Sequence, residues 1–275
     1  MIYRYIQPSP HLRPYINRYM LLHFRFSAAD LAPVKPFVPS PSQGITFYPR
    51  GFLTEHNPET GIATRRPQTV IFGQHLSRLN LRLCQDEYLM LDVSFQPGVL
   101  SKFIRLPLGE FTDRNIDAEA VLSAEIRAVN EQLANAVQYE QLTEIVETYR
   151  WQRIQRLHID LQPIEKVSRL VLANAVPVSM DNWAADACLS ISAFERRFRQ
   201  QMGISPKLFA RIIRFDRAVQ LRATNLGLDW LGVALQSGYT DYQHLAKEFK
   251  EFGGATPVGF IRAEANAPER RLGVV

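Results

Sequence analysis

Two short stretches of this 275-residue chain set cationic side chains at helical spacing beside apolar pairs four residues apart. The first is Phe194-Glu195-Arg196-Arg197-Phe198-Arg199, the second Leu245-Ala246-Lys247-Glu248-Phe249-Lys250. On a helix, Phe194 with Phe198, and Leu245 with Phe249, bury one face. Ser192, Glu195, Arg196 and Arg199 then turn away in the first stretch, and Gln243, His244, Lys247 and Lys250 in the second. Arg and Gln are the side-chain types that read base edges in the major groove, and Arg or Lys also neutralise phosphates. One such helix is usually only a solvated surface. Two built alike ask for a common explanation.

The other reactive side chains suggest less. Cys84 and Cys188 lie far apart and fit no zinc spacing, so both read as reduced, structural thiols. A methyl-accepting Cys84 would make the chain a DNA-repair enzyme; its strand-like, apolar surroundings argue for the structural role. His11, His23, His56 and His75 show no His-x-His pairing, no Gly-rich phosphate loop is present, and no G-x-S-x-G occurs. The expectation is therefore no enzyme, no metal and no cofactor.

The elements that must carry the two stretches are punctuated clearly. Helices are expected over Ile164–Ala173, Met180–Ala187 behind a Ser179 cap, and Ile191–Met202 behind Ser190 and ended by Gly203. Pro206 opens a long helix to about Asn225. Asp229 can cap Trp230–Ser237, and Asp241 can cap Tyr242–Phe252 before Gly253-Gly254. Aligning Phe198 with Phe249 matches Phe194 with Leu245, Arg199 with Lys250, Gly203 with Gly254 and Pro206 with Pro257, each at an offset of 51 residues. Each copy is a helix, a tight turn and a second helix bearing cations, the helix-turn-helix layout. The helix starts at Ser190 and Asp241 present free N–H groups suited to a phosphate oxygen, with Arg197, Arg199 and Lys250 as further phosphate contacts.

The region from about Ile164 to Arg262 resembles the DNA-binding domain of the AraC/XylS family. Gly238-Tyr239-Thr240-Asp241, Leu245, Phe249-Lys250, Gly254 and Thr256-Pro257 carry the resemblance. It implies two helix-turn-helix units on a long bridging helix, entering successive major grooves about 34 Å apart. It further implies that Ser192, Glu195 and Arg196 face bases in the first unit, and Tyr242, Gln243, His244 and Lys247 in the second. Lys247 stands where the family often has Arg, which removes bidentate guanine readout there. Gly253 replaces a usual aromatic, so looser packing is expected beneath the second unit.

The charge distribution agrees. Residues 1–165 hold 17 Lys+Arg and 17 Asp+Glu, while 166–275 hold 15 and 10, so the net +5 lies entirely in the C-terminal part. No run approaches a membrane span and the N-terminus lacks a secretory signal, so a cytoplasmic protein is expected, and the AraC/XylS resemblance implies a bacterial one. In the first hundred residues, Ile45–Tyr48, Thr69–Phe72, Leu79–Leu83 and Tyr88–Phe95 are strand-like runs separated by Gly and Pro. They suggest a small antiparallel barrel or sandwich. Phe47, Tyr48, Phe72, His75 and Phe95 either line an effector pocket in it or fill its core. The amphipathic helices between 117 and 155 either pack on the barrel or form a dimer interface.

The fold expected is thus α+β in two domains. Residues 1–160 form an antiparallel β-barrel, cupin-like, with appended helices. Residues 163–265 form an all-α, homeodomain-like double helix-turn-helix. The expected partners are double-stranded DNA, a small-molecule effector, RNA polymerase and a second copy of the chain. The alternative is a ligand-binding module without DNA affinity.

Overall fold

A computed structural model describes residues 2–25, 34–57, 60–77, 79–83, 87–174 and 179–264. Cys84 lies outside them. Among the described residues ten strands make two antiparallel sheets. In chain order they are β1 (Ile2–Ile6), β2 (Ile16–Arg25), β3 (Val34–Phe37), β4 (Gly44–Arg50), β5 (Leu53–His56), β6 (Ala63–Arg65), β7 (Thr69–Phe72), β8 (Leu79–Leu83), β9 (Glu87–Phe95) and β10 (Asn115–Asp117). One sheet runs β1-β2-β9-β4-β7-β10, the other β3-β8-β5-β6. The strands form two open sheets with no pairing between them among the described strands, so of the two expected arrangements the barrel is corrected and the sandwich fits. The strands of the smaller sheet are only three to five residues long. Its edge strand β3 contains Pro36, which cannot donate to a further ladder.

The six-stranded sheet is covered on both faces. Tyr19, Leu21, Phe47, Ile71, Leu91 and Phe95 point into a core completed by helices. The alternate residues Phe24, Tyr48, Val70, Tyr88 and Met90 meet Leu53 and Leu81 of the smaller sheet. The covering helices are α1 (Val99–Ile104), α2 (Ala118–Leu122), α3 (Ala124–Asn135) and α4 (Tyr139–Leu157). Gln138 and Gln141 form a reciprocal capping box at the start of α4. Leu122, Ile126, Val129, Leu133, Leu142 and Val146 are all buried against the sheet, so packing, not an exposed dimer face, absorbs the helical amphipathicity. Arg150 of α4 is fully buried among the rings of Phe47, Phe95 and Phe103. Loss of hydration there pulls its guanidinium down to about 10.

The first core ends at Ile159 and a second begins at Ile164. It is built by α5 (Pro163–Asn174), α6 (Met180–Asp186), α7 (Ile191–Met202), α8 (Pro206–Thr224), α9 (Trp230–Gln236), α10 (Tyr242–Gly253) and α11 (Pro257–Glu264). Ser179, Ser190, Ser205, Asp229 and Asp241 each accept a backbone N–H as N-cap, and Gly203 and Gly254 end α7 and α10 in the left-handed region. The expected looseness at Gly253 is not found. The Phe260 ring of α11 lies where a Cβ on Gly253 would stand, and it contacts Phe249 at 5.5 Å.

Candidate nucleic-acid interface and effector cavity

Two helix pairs, α6 with α7 and α9 with α10, hang on the single helix α8. At about 1.5 Å per residue, the 19 residues of α8 reach roughly 28 Å. Phe209 and Phe215 project from different sides of that helix. Phe209 meets Phe198 of α7 at 5.5 Å, and Phe215 meets Phe249 of α10 at 5.0 Å. Phe198 and Phe249 are the pair that aligns in sequence, so each unit seats its second helix on α8 through the same ring.

The turns correspond as well. Leu189 N donates to Ala184 O at 2.9 Å in the first unit, and Tyr239 N to Ala234 O at 2.9 Å in the second. These pairs are 50 residues apart, whereas the caps Ser190 and Asp241 are 51 apart. The second turn therefore holds one extra residue, Thr240. Cys188 occupies the position of Gly238, with φ values of 56° and 88°. Cys188 is exposed, and the buried small residue of this turn is its neighbour Ala187.

Ser192, Arg196, Arg197 and Arg199 are exposed on α7, with Glu195 half-buried beside them. On α10, Tyr242, Gln243, Lys247 and Lys250 are exposed. Arg196, Arg197, Arg199, Lys247 and Lys250 enter no ion pair among the described residues. The cations behind them differ. Arg211 and Arg214 of α8 are both tied to the buried Glu248 of α10. His244 turns partly inward, its ring edge-on to Tyr239 at 5.4 Å. The Ser190 hydroxyl accepts from Ala193 N and the Asp241 carboxylate from His244 N, so both caps are engaged with their own helices. A phosphate at either start must use the remaining backbone N–H groups.

The effector residues separate by strand parity. Phe72 and His75 line a cavity of about 190 Å³ between the two sheets. Tyr48 stands beside it, its hydroxyl accepting from Arg66 at 2.9 Å. Phe47 and Phe95 lie on the opposite face of the sheet, around Arg150. Burial lowers the His75 pKa, assisted by the charge of Arg66. Sequence reasoning missed Arg18, Arg66 and Asp92 in this wall. The available signal was Asp92 and Ser94 interrupting the cavity-facing series that starts with Tyr88 and Met90.

The cavity wall also touches the helical domain. Ser40, Ser42, Gly73 and His75 line the cavity, and Val38 and Leu76 beside them pack on the C-terminal core. Gln43 Nε2 lies 3.2 Å from Met202 Sδ at the end of α7, and Thr112 Oγ1 donates to Gly203 O at 3.3 Å.

A helix-turn-helix domain model (HTH_18) matches residues 183–263, and the model of a domain of unknown function (DUF6597) matches residues 4–117. No curated protein matches the chain. Among solved structures the chain is similar to ToxT from Vibrio cholerae at 1.65 Å, with a TM-score of 0.50, 11% identity, and 89% of this chain and 98% of that one covered. ToxT bound to (E)-4-(8-methylnaphthalen-1-yl)but-3-enoic acid gives a TM-score of 0.50 at 12% identity, covering 90% and 99%. The AraC-like transcriptional activator CuxR gives 0.28 at 15% identity, covering 78% and 81%. At these identities the ToxT likeness concerns the fold. No described helix is long and apolar enough to cross a membrane.

Proposed function

We propose that this chain is a DNA-binding regulator with an AraC-type helix-turn-helix domain at its C-terminus, whose helices α7 and α10 read two successive major grooves. One observation carries this reading: two helices seated alike on α8 expose five cations that no carboxylate among the described residues neutralises. Arg196 and Gln243 have the donor sets for base edges, alongside Ser192, Glu195, Tyr242, His244 and Lys247. Arg197, Arg199 and Lys250 face phosphates. The chain acts by binding, without catalysis of its own. RNA polymerase and a second copy of the chain are the protein partners we assign to it. We place the domain boundary in the residues between the two cores, 160–163.

We assign the N-terminal domain the role of effector sensor. The two-sheet cavity supports this, because segments that wall it also pack against α7 and the C-terminal core. The ToxT complex with a butenoic acid shows a small organic ligand held by a protein of similar fold. A ligand that alters the wall would alter the seat of the DNA-binding domain.

Selection of bound duplexes from a random library tests the DNA reading. The expected product is an asymmetric motif with two short clusters about one helical turn apart. Its affinity should fall steeply with salt. A single cluster would leave one unit without a reading role. No enrichment, with or without cell extract, would overturn the proposal.

A further inference from the structure

We propose that the two-sheet cavity binds a small zwitterionic amphiphile of the α-amino-acid type, with Arg18 holding its carboxylate and Asp92 its ammonium group. This rests on the effector reading above and names the chemistry of that site. Asp92 lies in β9 opposite Thr46 of β4 on one side and Met20 of β2 on the other. Its carboxylate accepts from Thr46 Oγ1 at 2.8 Å and Ser94 Oγ at 3.2 Å, two neutral donors, and enters no ion pair among the described residues. Part of its surface opens into the cavity. Arg18 pairs in register with Ser94, which sets it diagonally across from Asp92 on the same face. Its guanidinium stacks 4.7 Å from the Tyr5 ring and likewise enters no ion pair among the described residues.

Arg66 differs. Glu55 and the Tyr48 hydroxyl already engage it, so it is a fixed part of the wall. The remaining surface is mostly apolar, from Met20, Leu22, Phe24, Phe72, Leu81 and Met90, with His75 and Asn115 as a smaller polar share. A neutral apolar ligand would strip water from Arg18 and Asp92, leaving them each other's charge but no hydrogen bond in place of the lost water. A simple carboxylate would satisfy Arg18 and face Asp92 with like charge; a simple amine would do the reverse. A zwitterion with an apolar side chain answers both charges and the apolar wall. Burial raises the Asp92 pKa, and a cationic group beside it would oppose that rise.

Binding of L-phenylalanine and L-leucine to the full chain, without DNA, tests this by calorimetry and thermal shift. Phenethylamine, 3-phenylpropanoate and dodecanoate serve as single-charge probes. The amino acids should bind about tenfold or more tightly than any of the three, the factor expected for one lost charge-assisted contact. Asp92→Asn keeps hydrogen-bonding capacity beside Thr46 and Ser94, and should abolish the preference for phenylalanine over 3-phenylpropanoate. Arg18→Gln should abolish the preference over phenethylamine. Equal or tighter binding of 3-phenylpropanoate or dodecanoate would overturn the zwitterion, and so would no binding by any of the common amino acids or an Asp92→Asn variant of unchanged affinity. If dodecanoate alone binds and shifts DNA affinity, the effector reading survives while the ligand class falls. If no probe binds and a cavity-filling Met90→Trp leaves DNA affinity unmoved, the effector reading falls as well.

Discussion

Arg214 of α8 donates through Nη2 to Oε1 of Glu248 on α10 at 2.7 Å, fastening the bridging helix to the second recognition helix. Arg211 Nε donates to the same oxygen at 2.9 Å, and the Tyr239 hydroxyl donates to Oε2 at 2.8 Å. Glu248 is 2% exposed, and it immediately follows Lys247. The three donors fix the roll of α10 about its axis and hence the direction of its outward face. The first unit has the exposed Arg197 at the equivalent position and relies on ring packing.

Glu248→Ala leaves two arginines and a tyrosine without their acceptor. Removing one partner of a buried pair costs about 3–5 kcal/mol, and the partial exposure of both arginines places this case near the lower end. Urea denaturation should show that loss. Glu248→Gln keeps an acceptor and should lose less. If both variants unfold at the wild-type midpoint, the brace has no stabilising role.

Cys188 and Gly238 make a paired test of the turns. Both close the same backbone hydrogen bond, Cys188 N to Ala185 O and Gly238 N to Leu235 O, with positive φ. A side chain in the left-handed region costs roughly 1–2 kcal/mol, offset in part by the larger entropy glycine loses on folding. Cys188→Gly should therefore raise stability by about 0.5–1 kcal/mol. Gly238→Ala should lower it by about 0.5–1 kcal/mol, the same strain less the same entropy offset, because nothing but Arg214 Cδ approaches the added Cβ, at 3.9 Å. Thermal unfolding of the two variants settles both signs.

The helical domain was legible in sequence because its punctuation is chemical. Ser190 and Gly203 bound α7, and Asp241 and Gly254 bound α10, each residue placed by what its own side chain or backbone can do. The β domain offered less. β2 was not foreseen, because Tyr19 and Leu21 face one core while Met20 and Leu22 face the other, which erases the alternation that marks a half-exposed strand. The same double coverage hid the cavity. Phe47 and Phe95 look like pocket residues by type, yet their parity puts them against α4, and the polar Thr46 and Asp92 mark the cavity face.

Asp216 of α8 should give the fold a pH-dependent penalty. Burial pushes its carboxyl from 3.8 up to about 6, against the favourable charge of Arg18 and with the unfavourable charge of Glu264. Its folded pKa lies above the unfolded value, so the native state holds the proton more tightly. Its contribution is fully present below about pH 4 and is lost as pH rises through 6. The loss amounts to about 1–3 kcal/mol, since the side chain keeps some exposure. Asp216→Asn preserves an acceptor for Gln220 Nε2, which donates to Asp216 at 2.6 Å. That variant should be more stable than wild type at pH 8 and no more stable at pH 4. A constant difference across that range would show that Asp216 does not titrate with folding.

The free cations on α7 should divide into two kinds. Arg196 lies toward the helix start, near Ser192, where a helix entering a groove meets base edges, whereas Arg199 lies a turn nearer Gly203. Arg196→Ala should cost about 1–3 kcal/mol on the selected duplex and relax the choice of base at one position. Its affinity for random DNA should change little beyond the loss of one charge. Arg199→Ala and Lys250→Ala should instead weaken selected and random duplexes alike, each reducing the slope of log affinity against log salt by about 1. Competition binding at several salt concentrations separates the two behaviours. If Arg196→Ala also falls equally on both duplexes, Arg196 touches only phosphate, and sequence choice in the first unit must come from Ser192 and Glu195.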